Sequence, residues 1–218
     1  MACHVNKYLL KIIRKIEEKM VNKNISKIYL ASKSPRRREL LTQMGIQFEV
    51  LAIDIPEEVA LGEDYLTYSQ RICQEKAAAG WNHIFENSLA VHPVLTADTE
   101  VVHNGEVLGK PSDHEAAFKM WQRLRNDRHL VITSLTLKYQ DFCKTLTRES
   151  WVHFDDVSDE EIRRYLATGD YKDKSGSYGI QSYAGQFIKK IDGCFYSIMG
   201  LPLNAVRQLL QELAANAD

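Results

Sequence analysis

Five consecutive residues, Ser34-Pro35-Arg36-Arg37-Arg38, carry the densest chemistry in the chain. They follow a short apolar run, Ile28-Tyr29-Leu30-Ala31, and precede Glu39-Leu40-Leu41. That order reads as a strand giving way to a helix. Ser34 is a good N-cap and Pro35 suits the first helical position. Leu40, Leu41 and Met44 supply an apolar face, and Gly45 can close the helix. Arginines in a first helical turn oppose the helix dipole, which favours anions there. A bound phosphate would reverse that penalty, gripped by free backbone N–H groups, a serine hydroxyl and two guanidinium forks. Arg36 and Arg38 lie about 200° apart on a helix, so three arginines cannot serve one ligand. The expectation is that Arg36 and Arg37 face the anion and Arg38 faces solvent. Taken alone, the cluster is as consistent with a solvated basic turn.

Other residues add weaker signals. Asp98 ends an apolar run and is followed by Thr99, a common placement for a base or a metal-binding carboxylate. Lys110 lies in Gly109-Lys110-Pro111, which lacks the spacing of a phosphate-binding P-loop, and Pro111 stands where that motif needs Ser or Thr. Lys110 remains able to reach a phosphate as a point charge. Glu57 follows Asp54 across a proline bend, and two carboxylates there could hold Mg²⁺. In Asp173-Lys174-Ser175-Gly176-Ser177-Tyr178-Gly179-Ile180-Gln181, the glycines permit close backbone approach to a ligand. Tyr178 can stack or pack, and Gln181 offers both a donor and an acceptor to a base edge.

Elements must bring these residues together. Strands are expected at Ile28–Ser32, Phe48–Leu51, Val94–Ala97, Leu130–Tyr139, Glu149–Phe154 and Phe187–Ile191. Helices are expected at Arg36–Met44, Tyr65–Trp81, His114–Leu124 and Leu203–Leu213. A further helix opens on a capping-box pattern at Ser158-Asp159-Glu160-Glu161 and runs to about Ala167. Asn104-Gly105 is the strongest hairpin signal and joins Glu100–His103 to Glu106–Leu108. Strands alternating with helices, plus a hairpin, predict an α/β fold with a mixed sheet.

Composition excludes several classes. The chain has 218 residues, 44% of them hydrophobic and 26% charged, which is ordinary for a soluble globular protein. A formal net charge of -1 provides no global field to recruit nucleic acid or an anionic membrane, so any phosphate binding is local. The four cysteines are scattered without a C-x-x-C pair, and no H-x-x-x-H pair occurs, so neither a zinc site nor a disulfide framework is expected. Reduced thiols fit a cytoplasmic location. Residues 7–20 read as an amphipathic helix, with Leu9, Ile12, Ile13, Ile16 and Met20 on one stripe. A packed extra helix, a membrane-surface helix and an upstream extension before a start at Met20 compete for it. The expected division is an N-terminal helical extension over 1–26, outside the active site, and one domain over 27–214.

The ordered set of motifs resembles the Maf family of nucleotide pyrophosphatases. It comprises Leu30-Ala31-Ser32-Lys33-Ser34-Pro35-Arg36-Arg37-Arg38-Glu39-Leu40-Leu41, Arg71-Ile72-Cys73-Gln74-Glu75-Lys76-Ala77, Ala97-Asp98-Thr99, Gly109-Lys110-Pro111, Asp173 to Gln181, and Gly200-Leu201-Pro202-Leu203. The resemblance implies cleavage of a nucleoside triphosphate between the α and β phosphates, giving a monophosphate and pyrophosphate, with Mg²⁺ or Mn²⁺. It implies an elongated mixed sheet with flanking helices, two lobes around a central cleft as in inosine triphosphate pyrophosphatases, and a homodimer. Position by position, Asp98 matches the proton acceptor. Ser34, Arg36 and Arg37 match the phosphate-binding turn, and Lys76 and Lys110 match phosphate-binding lysines. Glu57, with Asp98, matches the metal site, and Thr99 and Gln181 match positions tied to base choice. Ala97-Asp98-Thr99 and Tyr178-Gly179-Ile180-Gln181 resemble the branch preferring dTTP and UTP, with modified pyrimidine nucleotides as further candidates. Pro56 and Thr96 depart from the family pattern, where an acidic residue and a glycine are usual. The rival expectation is a nucleotide-binding regulator of cell division or septum formation with little turnover.

Overall fold

The structure, a computed structural model, describes residues 27–216. The extension expected over 1–26, with its amphipathic stretch 7–20, lies outside the described residues. Strand β1 is Ile28–Leu30, all three residues buried. It lies between β2 (Phe48–Val50) and β3 (Val94–His103) and runs parallel to both. A strand with neighbours on both sides and layers above and below needs an uninterrupted apolar run. β1 stops two residues short of the expected Ser32, where the Ser34 amide donates to Ser32 Oγ and turns the chain.

Helix α1 (Pro35–Gln43) starts as its sequence requires. Ser34 is the N-cap, its Oγ accepting from the Arg37 amide at 3.5 Å, and Pro35 opens the helix. Leu40 and Leu41 are buried, and Gly45 follows the end with φ +70°. Helix α2 (Tyr65–Glu86) is capped by Asp64 and outruns the expected end at Trp81. Gly80 there marks close packing: a Cβ would sit 2.9 Å from Val94 Cγ1.

The main correction concerns β3. The sequence reading closes a strand at Asp98 and opens another at Glu100, but β3 is one ten-residue strand. It pairs antiparallel with β5 (Arg128–Tyr139) without a break from Val94↔Lys138 to Val102↔Leu130. Asp98-Thr99-Glu100 interrupts the apolar pattern without interrupting the ladder. Asn104 and Gly105, both at positive φ, then turn the chain into β4 (Glu106–Leu108). Strand β6 (Phe142–Phe154) also begins earlier than Glu149, because its first half is half-exposed and polar. The remaining elements are α3 (His114–Leu124), α4 (Asp159–Ala167), β7 (Ile188–Asp192), α5 (Phe195–Ile198) and α6 (Leu203–Asn216). The capping box on α4 is present as expected, and the short α5 was not foreseen.

The seven strands form one mixed sheet in the order β2-β1-β3-β5-β6-β7, with β4 also on β3. On one face, Leu95, Ala97, Val101, Val131, Leu135 and Leu137 join α1, α3, α4 and α6 in the principal core. On the other, α2 covers β3 and β5 through apolar contacts near its ends, Tyr65 and Leu66 beside Val102 and Leu130 and Ile84 beside Val94, and polar ones between: Thr96 Oγ1 donates to the Cys73 carbonyl at 2.8 Å, and Ser69 Oγ meets Ser134 Oγ at 2.9 Å. Thr96 therefore ties the sheet to α2. β1 pairs with β3 only as far as Leu95, and β4 begins pairing at Val101. Among the described residues, no strand pairs with 96–100 on that edge. The functional site occupies this gap.

His129, on β5, is fully buried, with Nε2 2.7 Å from the Tyr178 hydroxyl and Phe154 edge-on at its ring. Burial pushes its pKa down to about 3. The folded protein therefore holds a neutral imidazole that the unfolded chain protonates below 6.5. Its contribution is complete above pH 6.5 and is lost as pH falls toward 3, at up to about 1.4 kcal/mol per pH unit. Urea titrations across this range should show a shallower acid loss in His129→Asn than in the wild type. Identical slopes would mean His129 is not the group responsible.

Candidate functional site

A cavity of about 800 Å³ opens at the gap on β3. Its wall includes every residue expected from the sequence: Ser34, Arg36, Arg37, Glu57, Lys76, Asp98, Thr99, Lys110 and Gln181. These come from the start of α1, the segment after β2, the middle of α2, β3, the turn after β4 and the loop after α4. The cavity lies beyond the carboxyl end of β1, the position at which open α/β sheets bind ligands.

The two arginines of the cradle differ in role. Arg37 is tied to the protein by three donors: Nε to the Gly200 carbonyl at 2.9 Å, Nη1 to Ser32 Oγ at 3.0 Å and Nη2 to Thr99 Oγ1 at 3.2 Å. Arg37 therefore braces the cradle while also lining the cavity. Arg36 has no hydrogen bond or ion pair among the described residues. Burial and then the charge of Arg37 pull its pKa below the usual arginine value. An anion in the cavity relieves both effects. Arg38 is exposed, as expected.

Thr99 extends the brace. Its hydroxyl lies 3.0 Å from Thr133 Oγ1, which donates to the Ser197 carbonyl. Lys33, Lys172 and Lys174 also line the cavity and were not singled out from the sequence. Lys33 pairs with Asp54 at 3.2 Å and Lys76 with Glu57 at 2.7 Å, so the two carboxylates of that bend answer to different lysines.

The opposite wall is acidic. Asp98 is buried, and its Oδ1 accepts from Lys76 Nζ at 2.9 Å, while Oδ2 has no partner. Lys76 Nζ also meets Glu57 Oε1 at 2.7 Å. Lys76 thus stands between two carboxylates at the cavity wall. Burial alone would lower its pKa, but the charge of Asp98 and the bonds to Glu57 and Asp98 outweigh it and leave the pKa raised. Glu100 also lines the cavity and was missed. Burial, then the charge of Asp98 and a hydrogen bond shared with it, push its pKa well up. The signal was available: residues two apart on a strand share a face.

Three carboxylates against one ammonium suit a cation. Among the described residues no group of three such side chains forms a ready-made cage. That is compatible with Mg²⁺, which binds through one or two carboxylates and completes its shell with water and phosphate oxygens. The unpartnered Asp98 Oδ2 is the observation that favours such an ion here.

The late loop is held from behind. The Gly176 amide donates to the Gly109 carbonyl at 3.2 Å, which sets Lys110 beside the loop. Gly176 has φ +70°, and a Cβ there would meet the Val101 side chain at 2.9 Å. Tyr178 packs rather than stacks on a ligand, buried against Phe154 and Trp121. Asp170 accepts from Tyr165 and Ser182, fixing the loop that presents Gln181. Gln181 itself is exposed at the cavity wall.

A family profile described as Maf-like protein matches residues 27–213. The dTTP/UTP pyrophosphatase of Chromobacterium violaceum is 44% identical over 191 residues, covering 87% of this chain and 96% of its own. That of Aliivibrio fischeri is 41% identical over 187 residues, covering 86% and 98%. The solved structure of the Staphylococcus aureus Ham1 protein aligns over 86% of this chain and 99% of its own, at 13% identity and a TM-score of 0.46.

Proposed function

The chain belongs to the Maf-like family, and from that premise we propose that it hydrolyses pyrimidine nucleoside triphosphates, dTTP and UTP foremost, to monophosphate and pyrophosphate. The observation that carries the reading is the meeting, in one cavity, of a helix N-terminus bearing the unpaired Arg36 with the buried Asp98, whose Oδ2 is free. The triphosphate tail lies at the start of α1. Arg36, Ser34 and Lys110 neutralise it, and Arg37 keeps that turn in place through Gly200, Ser32 and Thr99.

Asp98 Oδ2 takes the proton of the attacking water as its oxygen closes on the α-phosphorus. Lys76 holds the other carboxylate oxygen, so the base presents one fixed face. Negative charge developing on the departing pyrophosphate meets Arg36 and Lys110. Asp98 and Glu57 would hold a divalent cation, which supplies charge neutralisation of the phosphates and orientation. Gln181, at the cavity wall, pairs with the pyrimidine edge, and Thr99 acts beside it through Arg37. Assembly as a homodimer belongs to the same proposal. No helix among the described residues is long and apolar enough to cross a membrane.

The test is product analysis with dTTP, UTP, dCTP, ATP and GTP in Mg²⁺ or Mn²⁺. Pyrophosphate release fastest with dTTP and UTP is expected. Release of single phosphate would contradict the cleavage position. Tight calorimetric binding without hydrolysis would favour the regulatory reading instead.

A further inference from the structure

Glu100 is a cavity residue for which the family resemblance provides no role. It sits on β3 two positions after Asp98, so the two side chains leave the same face of the strand. That face also carries Thr96, whose hydroxyl reaches the Cys73 carbonyl on α2, and Lys76 of α2 binds Asp98. Asp98 and Glu100 therefore project together into the space between β3 and α2. The groups around them are Lys76, Glu57 and Tyr68, whose hydroxyl donates to the Glu57 carbonyl. Only Lys76 is cationic, and it is engaged by Asp98 Oδ1 and Glu57 Oε1.

A second acid here has a cost. It stands against a buried carboxylate, and when ionised it adds negative charge to a cavity whose substrate is a polyanion. Among the described residues Glu100 has no ion-pair partner to offset this. Asp98, its side chain only 9% exposed, finds no fixed donor for Oδ2 among the described residues, and its hydrogen bond with Glu100 exists only while one of the two acids holds a proton. A hard divalent cation accounts for both facts at once, because it needs oxygen ligands and neutralises two carboxylates.

We propose that Glu100 and one lone pair of Asp98 Oδ2 together form a divalent-cation subsite that is present before nucleotide arrives, the other lone pair being left for the proton of the attacking water. The proposal deepens the pyrophosphatase reading and rests on it only for the purpose of the ion. Water and, later, phosphate oxygens fill the remaining positions. Glu57, more exposed and bound to Lys76, contributes from the rim.

The experiment is Mn²⁺ binding to the full chain without nucleotide, read by the loss of free Mn²⁺ signal in electron paramagnetic resonance. The wild type is expected to bind one ion per chain at this site. Glu100→Gln should weaken that affinity at least about tenfold, given the sensitivity of metal sites to their supporting groups. The substitution removes like-charge repulsion, so metal-free Glu100→Gln should melt no lower than the wild type, which separates lost ligation from lost fold. Equal Mn²⁺ affinity in the two proteins would overturn the proposal, as would wild type that binds no Mn²⁺ without nucleotide. Failure of the pyrophosphatase reading would appear separately, as Mn²⁺ binding that depends on Glu100 in a protein that releases no pyrophosphate.

Discussion

Asp98→Asn should reduce pyrophosphate release by about 10³-fold while leaving nucleotide binding close to wild type, within the 10²–10⁴ range typical of a positioned general base. The amide keeps the shape of the side chain. Its oxygen can still accept from Lys76 Nζ, so the polar contact at 2.9 Å survives and α2 has no reason to shift. What disappears is the proton acceptor at the second oxygen, the atom that finds no fixed donor among the described residues. Calorimetry without divalent cation isolates the hold of Arg36 and Lys110 on the polyanion, which losing a negative charge from the wall does not weaken. Steady-state turnover and calorimetry on the same preparation separate the two quantities. Full turnover in Asp98→Asn would remove the base assignment outright.

Lys76→Met should lower stability at neutral pH by about 3 kcal/mol, since breaking a buried ion pair leaves its partner charged and desolvated. For a chain of this length that is a melting point lower by roughly 6–12 °C. Methionine keeps most of the stem volume, so the loss reports on charge. The pair with Asp98 is the one that matters, with side chains 13% and 9% exposed. Glu57 is 48% exposed, so Glu57→Gln should cost far less. The pH dependence has a definite sign. The folded-state pKa of Lys76 is raised above its ordinary value of 10.5, so its stabilisation is complete below 10.5 and is lost as pH rises through the folded value. The wild type should therefore lose part of its advantage over Lys76→Met at strongly alkaline pH. On acidification the gap should narrow too, as the carboxylates left without a partner take up protons. Matching melting curves for the two proteins at pH 7 would mean that solvent, not Lys76, compensates Asp98.

Much of the site was legible because local chemistry announces itself. Ser34, Pro35 and Gly45 bracket α1 by capping rules that need no tertiary context, and Asn104-Gly105 marks its hairpin for the same reason. Asp98 was harder. Its polar neighbours made β3 look finished, whereas pairing with β5 carries the strand straight through. Tertiary hydrogen bonding overrode the hydrophobic pattern there, and the same holds for the first half of β6. The roles of Arg36 and Arg37 could not be told apart from the motif, since the difference lies in Gly200 and Thr99, far away in sequence. Glu100 was readable in principle, but only after β3 was known to be continuous.

That continuity separates two jobs mechanically. Asp98 is planted in a strand laddered to β5 along its length, while Gln181 rides on a loop fastened by a few side-chain contacts. Substitutions in the loop can retune which heterocycle is admitted without moving the group that does the chemistry. Diversity of preference among relatives should then accumulate at the exposed positions of this loop such as Gln181 and not at Gly176 or Tyr178, with the interior of the sheet acting as an unvarying anvil.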